Sequence, residues 1–288
     1  MQILCNGVIQ GLLIALMAMG FSIVYNSTGI LHVAQGAVYT LSPFLFLSLI
    51  HCGLGVTISL SGALLSVVAL SMLIERVNHW PLYKNNASSQ VHFISSLGIY
   101  IILVQVIVLI WGNETRTLRV SIDSTYSFLG TILTRSQVLG GAVSLIIVTL
   151  FFSWINFAKT GTKLIALSDN PIQLSLMGFP INHLRLLAFG LSGFFTGLAS
   201  ILIATDVGFD PLSGFRMVLL AIIATIIGGR SSFVGPIVGG VILGVIRSQV
   251  VWYASAQWEE AVSSLILVFF LFLRPQGIMG KKRRLEAS

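Results

Sequence analysis

The chain has 288 residues, of which 56% are hydrophobic and only 9% are charged, and its mean hydropathy is +0.96. A soluble domain carries roughly 25% charged residues, so this chain cannot cover a water-facing surface. Its apolar stretches are about twenty residues long, unlike the roughly ten-residue alternating segments of a membrane β-barrel. We therefore predict an all-α polytopic membrane protein with about 8–9 transmembrane helices, because backbone polar groups in a bilayer must be satisfied within the helix.

The formal net charge is +7. The basic residues are unevenly placed along the chain, and this distribution indicates how the protein is oriented in a membrane rather than binding of nucleic acid. No Lys or Arg precedes Arg76, and four of the sixteen lie in Lys281–Arg284. Placing this terminal run in the cytoplasm, and counting back through nine crossings, puts the basic residues of three earlier loops inside as well. Six of the nine acidic residues then lie outside. We predict a cytoplasmic C-terminus.

Catalytic, metal-binding and nucleotide-binding sites are poorly supported. Cys5 and Cys52 are too few for a disulfide framework and have no metal-ligand spacing. The five histidines are scattered, and the G-x4-G-K-[ST] spacing of a nucleotide-binding loop is missing. Arg247 is the one charge within a clear span, and we expect it to extend to the outer interface. We predict no cofactor and no metal, and we expect another chain to supply the energy for any transport.

Nine apolar stretches are candidate spans. Two of them, near residues 217 and 261, are short and need their flanks to cross a membrane. The candidates in chain order are Val8–Tyr25, Val33–Ile50, Val56–Ile74, Phe93–Ile110, Val138–Phe157, Leu184–Ala204, Met217–Ile227, Val234–Tyr253 and Ala261–Leu273.

The second candidate span is polar in its first half and is interrupted by Pro43. Such segments are typical of cavity-lining helices in transporters, although a plain kinked helix and a re-entrant segment remain alternatives. A re-entrant segment would give eight spans and move the N-terminus to the other side. Polar residues within spans are the only indication of a translocation path, and they are Gln35, Tyr39, Ser95 and Ser96.

Small residues spaced four apart allow helix backbones to approach closely in a membrane. The glycines in this pattern predict helix packing and give no information on a substrate. They are Gly193, Gly197, Gly235, Gly239, Gly240 and Gly244.

One polar stretch, Lys159–Pro180, interrupts the apolar pattern between two long spans. Asp169 or Asn170 can cap a short helix there, and Pro171 suits its first position. Gly178, followed by proline, predicts its end. A helix of about two turns is marginal alone in water, so docking on a partner would explain it. Packing on the membrane surface or on the chain's own bundle is the alternative.

Several short motifs occur in a fixed order along nearly the whole chain. They are Asn6-Gly7 through Gly20 and Tyr25 with Thr28-Gly29-Ile30, then Glu75-Arg76 with Pro81-Leu82, then Gly161 through Asn170 with Leu176–Phe179, then Gly228-Gly229 with Gly235-Pro236 and Gly239-Gly240, and finally Arg274–Gly277. Each motif alone is weak, but the ordered set resembles the membrane permeases of bacterial ABC importers for branched-chain amino acids and their urea and amide relatives.

This resemblance implies the ABC importer permease fold, with residues 1–288 as one transmembrane domain and a cytoplasmic coupling loop at 159–182. It also implies the bacterial inner membrane as location. The implied partners are a homologous second permease, two cytoplasmic ABC ATPase subunits, an extracytoplasmic solute-binding protein and membrane lipid. Residues expected to take part in coupling are Gly161, Lys163, Asp169, Asn170, Pro171 and Gly178.

The expected function is ATP-driven import of a small solute, first of all branched-chain or other apolar amino acids. Urea or short amides, an ATP-independent channel and an intramembrane enzyme are the alternatives. Two positions depart from the resembled pattern, since Gln35 and Ala37 replace a usual histidine and a usual acid. These changes would alter specificity if that stretch contacts the solute. The coupling segment also has fewer basic residues than is usual, which indicates a matched, divergent ATPase.

Overall fold

Helices make up most of the structure, a computed structural model that describes residues 1–118, 124–128, 130–274 and 276–280. Its α-helices are α1 Gln2–Thr28, α2 Gln35–His51, α3 Val56–Ile74, α4 Trp80–Lys84, α5 Ser89–Trp111, α6 Arg135–Phe157, α7 Lys159–Asp169, α8 Pro171–Leu176, α9 Ile181–Asp206, α10 Ser213–Gly228, α11 Gly235–Tyr253 and α12 Glu259–Leu273. A π-helix, Glu75–His79, continues α3, and a 3₁₀-helix, Ala256–Trp258, precedes α12. One antiparallel hairpin pairs β1, Thr125–Phe128, with β2, Thr131–Thr134.

Each of the nine predicted spans corresponds to a helix, and the prediction of an all-α polytopic membrane protein is confirmed. Within the described residues, seven helices are long and apolar enough to cross a membrane. The other two of the nine, α2 and α10, have only 17 and 16 residues. Both are short because each follows a non-helical segment, 29–34 before α2 and 207–212 before α10. The basic run Lys281–Arg284 lies outside the described residues.

Helix α1 is the centre of the bundle and packs against α6, α9, α10 and α11. Its middle is fully buried, with no exposed surface from Ala15 to Met19. A Cβ atom on Gly240 of α11 would lie 2.7 Å from the Cα atom of Ala15, and one on Gly11 would lie 2.7 Å from the Cα atom of Val241. These contacts leave no room for a side chain, so glycine allows the two helices to touch along their lengths.

The other predicted packing glycines also lie at close helix contacts. On α9, a Cβ atom on Gly193 would lie 2.8 Å from the Cβ atom of Ser71. A Cβ atom on Gly197 would lie 2.7 Å from the Cγ2 atom of Val67. On α11, a Cβ atom would overlap the backbone of the neighbouring helix at each remaining glycine of the set, which are Gly235, Gly239 and Gly244.

The irregular segment 29–34 and α2 together cross the bundle once. At one end, the last turn of α1 bonds the loop after α10, where Arg230 Nη2 donates to the Tyr25 hydroxyl at 2.6 Å. At the opposite end, Phe46 of α2 packs with Ala63 of α3 and Ile201 of α9. The chain has therefore changed ends between Tyr25 and Phe46. This supports nine crossings rather than a re-entrant second segment.

Arg247 forms an ion pair with the first residue of α12, and its expected extension to the outer interface stays a prediction. Its Nη2 donates to Glu259 Oε2 at 2.8 Å, and its Nη1 donates to the Ser263 hydroxyl at 3.2 Å. The side chain is 14% exposed. The charge of Arg247 is therefore paired between α11 and α12, near the end of the bundle where a short loop joins the two helices.

A second ion pair is completely buried where α3 ends. Arg185 Nε of α9 lies 2.6 Å from Glu75 Oε1, and the two side chains are 3% and 0% exposed. The Arg185 guanidinium also lies 4.5 Å from the centre of the Tyr83 ring. The pair thus joins α9 to the π-helix and α4.

We expect replacement of Arg185 by leucine to destabilise the protein strongly, since it leaves Glu75 buried without its partner at a cost of about 3–5 kcal/mol. The double variant R185L/E75L should recover most of the loss, because neither charge is then buried. Thermal unfolding of the detergent-solubilised protein measures both effects. As a control, R216L removes a pair whose side chains are 65% and 68% exposed, and it should change little. A double variant as unstable as R185L would contradict the account.

Candidate functional site

The predicted coupling stretch forms two short helices, α7 and α8, at one end of the bundle. The Asn170 side chain caps α8, accepting hydrogen bonds from the backbone N–H groups of Ile172 and Gln173 at 3.0 and 3.1 Å. Pro171 is the first residue of α8, as its fixed φ favours. Asp169 instead ends α7. Of the two predicted caps, Asn170 is therefore the one used.

Helix α7 was not expected, although its sequence contains a signal for it. Leu164 and Leu167 are 0% and 1% exposed, and their spacing of three places them on one helix face. A Cβ atom on Gly161 would lie 2.6 Å from the carbonyl oxygen of Trp154. Glycine at this position lets α7 fold back against the end of α6.

The end of α8 depends on Gly178, whose φ of +82° is in the left-handed region that disfavours other residues. Nothing lies within 4 Å of a Cβ atom built there, so only the backbone conformation restricts this position. Lys163 Nζ lies 4.9 Å from the centre of the Phe179 ring, which joins α7 to the residue after the turn.

Helix α8 presents an apolar surface, which we call the α8 patch: Ile172, Leu176 and Met177. These side chains are 71%, 83% and 73% exposed, whereas Leu174 between them is 4% exposed and packs on the bundle. Apolar side chains clustered on a short, capped helix are typical of an interaction surface.

The predicted path residues fall into two separate groups. On α2, Gln35 is fully buried and donates from Nε2 to Thr196 Oγ1 of α9 at 2.6 Å. The carbonyl oxygen of Tyr39 accepts from the Ser200 hydroxyl at 2.6 Å. The Gln35 Oε1 atom is buried and has no hydrogen-bond partner within the described part of the chain. In this conformation Gln35 and Tyr39 therefore lie at the contact between α2 and α9.

The two serines of α5 support the irregular segment 29–34. The Ser96 hydroxyl accepts from the Val33 N–H at 3.2 Å, and it shares its proton between the Leu31 carbonyl at 3.2 Å and the Phe93 carbonyl of its own helix at 2.9 Å. The Ser95 hydroxyl donates to Asn78 Oδ1 in the π-helix. Ser96 thus satisfies backbone groups that a helix would otherwise satisfy internally.

The first turns of α2 and α10 meet at Gly36 and Gly214, an approach that was not predicted. A Cβ atom on Gly36 would lie 3.0 Å from the Gly214 carbonyl oxygen and 3.0 Å from the Tyr100 ring, midway along α5. Helices that begin inside a membrane bundle after irregular segments are characteristic of transporter binding regions. Two features of the sequence could have indicated this approach: the short seventh candidate span, Met217–Ile227, and the turn-forming residues of segment 207–212 before α10.

Three histidines that are distant in sequence meet beside segment 29–34. His32 Nδ1 lies 3.1 Å from His79 Nε2, and His79 Nδ1 lies 3.1 Å from His92 Nδ1. The three residues are 0%, 0% and 4% exposed. No group of three potential ligands in the described ranges could hold a metal ion. We call this arrangement the histidine chain, which the sequence analysis did not anticipate.

Two of the sequence motifs also meet each other. The N–H groups of Ile278 and Met279 donate to the carbonyls of Ile227 and Gly228, both at 2.8 Å. Gly229 and Gly277 adopt φ values of +124° and +73° at this contact. The segment after α12 therefore satisfies carbonyls at the C-terminal end of α10.

Comparisons with known proteins agree with this architecture. Residues 3–271 match a family model described as the permease component of the branched-chain amino acid transport system. The high-affinity branched-chain amino acid transport system permease protein LivH of Salmonella typhimurium is 27% identical over 297 residues, covering 98% of this chain and 96% of the relative. The corresponding BraD protein of Pseudomonas aeruginosa is 24% identical over 296 residues, with the same coverage.

Two further similarities are weaker. An autoinducer 2 import system permease protein of Escherichia coli is 31% identical over 136 residues, which cover 44% of this chain and 40% of the relative. PsaBC from Streptococcus pneumoniae, solved in complex with Fab, has a TM-score of 0.49 at 17% identity over 96% of this chain and 93% of that chain. The family model spans nearly the whole sequence, and the chain belongs to the family of branched-chain amino acid transport system permease components.

Proposed function

We propose that this chain is the permease subunit of an ATP-driven importer for branched-chain or other apolar amino acids. Its relatives are permease proteins of branched-chain amino acid transport systems, which supports this choice of solute over urea or short amides. In this proposal residues 1–288 form one permease domain in a bacterial inner membrane, with the C-terminus in the cytoplasm. A solute-binding protein delivers the solute from the other side.

The observation that carries the proposal is the exposed α8 patch on a capped helix. No nucleotide-binding loop occurs in the sequence, so ATP hydrolysis is assigned to two separate ATPase subunits. A homologous second permease completes the membrane part. The α8 patch then sits against an ATPase, and α7 transmits its movement to α6 and α1, which both contact α7.

We place the solute path where α2 moves against its neighbours. Gln35 and Tyr39 lie on the α2 face turned to α9, while Ser95 and Ser96 border the segment that leads into α2. In the present conformation these residues are packed inside the subunit. The proposal therefore requires α2 to separate from α9 or α5 during the cycle.

The first test replaces Gly178 by valine, which should reduce solute uptake at least tenfold, because a β-branched residue disfavours φ near +82°. The matched control is Gly53→Val, since Gly53 has the same φ of +82° and an equally open environment at the other end of the bundle. Uptake of radiolabelled leucine into proteoliposomes, with ATPase activity measured in parallel, separates coupling from insertion. Equal losses in both variants, or normal ATPase stimulation in Gly178→Val, would contradict the coupling role.

The second test concerns the α8 patch. Replacing Leu176 and Met177 by serine should weaken retention of the ATPase subunits, since apolar area buried on association is lost at about 25 cal/mol per Å². The change should leave the membrane subunit folded, because both side chains are exposed. Leu54→Ser, at an exposed position between α2 and α3, serves as the control. Undiminished co-purification of the ATPase would show that the ATPase does not bind at the α8 patch.

A further inference from the structure

The histidine chain connects three parts of the structure that otherwise have few polar contacts. His32 belongs to the non-helical segment 29–34, His79 is the last residue of the π-helix, and His92 lies in the first turn of α5. The N···N distances of 3.1 Å are those of hydrogen bonds. Segment 29–34 leads into α2. The histidine chain therefore holds in place the segment that precedes a helix beginning inside the bundle.

The number of protons in this arrangement is limited. Each of the two N···N contacts needs one shared proton, and each end of the chain has one further ring nitrogen. Three neutral imidazoles carry three protons, which fill both contacts and one end. A fourth proton can occupy the other end. A fifth would place two N–H groups against each other and break a contact.

Even the fourth proton is disfavoured by the surroundings. It would create a positive charge among side chains that exclude water, which opposes protonation. Arg185 is the cation facing His79 and His92, and its partner Glu75 is already engaged at 2.6 Å. Around these groups lie Tyr83, against the Arg185 guanidinium, and Phe189, whose ring is 4.9 Å from that of His32. The His32 Nε2 atom is buried without a partner in the described part of the protein.

We propose that His32, His79 and His92 form a proton-responsive latch, which holds segment 29–34 against the π-helix and α5 when neutral and releases it when protonated. Release would leave the Ser96 hydrogen bonds to Leu31 and Val33 as polar contacts of the segment with α5. The effect on transport rests on the proposed function, whereas the latch itself does not. Because segment 29–34 then no longer holds the start of α2 in place, solute uptake falls.

The direction of the pH dependence follows from proton binding. A released histidine in water has a pKa of about 6.5, so the released state binds more protons than the latched state. The stability of the latched state is therefore greatest above about pH 6.5 and decreases progressively as the pH falls below it. Each additional proton bound changes the equilibrium by up to tenfold per pH unit.

The test follows segment 29–34 directly, in the purified chain in lipid nanodiscs. Leu31, which is 38% exposed, is replaced by cysteine in a background where Cys5 and Cys52 are serine, and a spin label is attached at pH 8. Electron paramagnetic resonance spectra should show an immobile label at pH 8, with the mobile fraction rising at least tenfold by pH 5.5. An unchanged spectrum across this range overturns the latch.

Two variants each remove one titrating imidazole while retaining hydrogen bonding. His92→Gln, at the most accessible end of the chain, can still accept from His79, and His79→Gln replaces the central member. Both should reduce the pH response of the spin label at least tenfold. The matched control His183→Gln, an exposed histidine at the start of α9, should retain the full response. A response that persists undiminished in both latch variants, or disappears in the control, overturns the assignment.

Should the central variant fail to fold, ¹⁵N spectra of histidine-labelled wild-type protein provide the second readout. The proposal predicts couplings across both N–H···N contacts at pH 8 and loss of the His32–His79 coupling at pH 5.5. Leucine uptake with the ATPase partners, measured at both pH values, tests the link to transport. A pH-dependent spectrum without leucine uptake would sink the proposed function and leave the latch intact, while uptake with a pH-independent spectrum would do the reverse.

Discussion

The structure depends on one constraint, which is that backbone N–H and C=O groups inside a membrane bundle must find partners within the protein. Long helices meet this requirement internally, but segments 29–34 and 207–212 do not. Side chains and neighbouring backbone satisfy them instead. Ser96 bonds the first segment, while the Phe209 backbone pairs with that of Arg116 in the second. The two helices that these segments introduce meet at Gly36 and Gly214, so two chain segments without helical hydrogen bonding lead to one junction inside the bundle.

Close glycine contacts and buried ion pairs make the rest of the bundle rigid around that junction. Helix α1 touches α11 through Gly11 and Gly240, and the Glu75–Arg185 pair fixes α9 to the π-helix. Interiors packed this closely move as units rather than deforming continuously. A displacement of α7 and α8 would therefore be transmitted to α6, α1 and α9 as a rigid movement, which suits a subunit driven from outside.

The sequence predicted those features whose signal is local. Hydropathy located a helix at each of the nine candidate spans, and Asn170, Pro171 and Gly178 identified α8 because capping depends on neighbouring residues. Features made by tertiary contact were missed. His32, His79 and His92 are brought together only by folding, so their spacing contains no pattern. Gln35 and Ser96 were grouped as polar residues in spans, yet one faces α9 and the other supports segment 29–34. The roles of the path and coupling residues remain proposals.

The central claim is that this chain works within an importer driven by separate ATPases. Its most direct test is purification of the tagged protein from its native membrane in mild detergent, with identification and stoichiometry of every co-purifying chain. The account predicts a homologous second permease and two ATPase subunits, bound in an assembly that hydrolyses ATP. A lone chain or a homo-oligomer that passes solute without ATP, found repeatedly under these conditions, would contradict it.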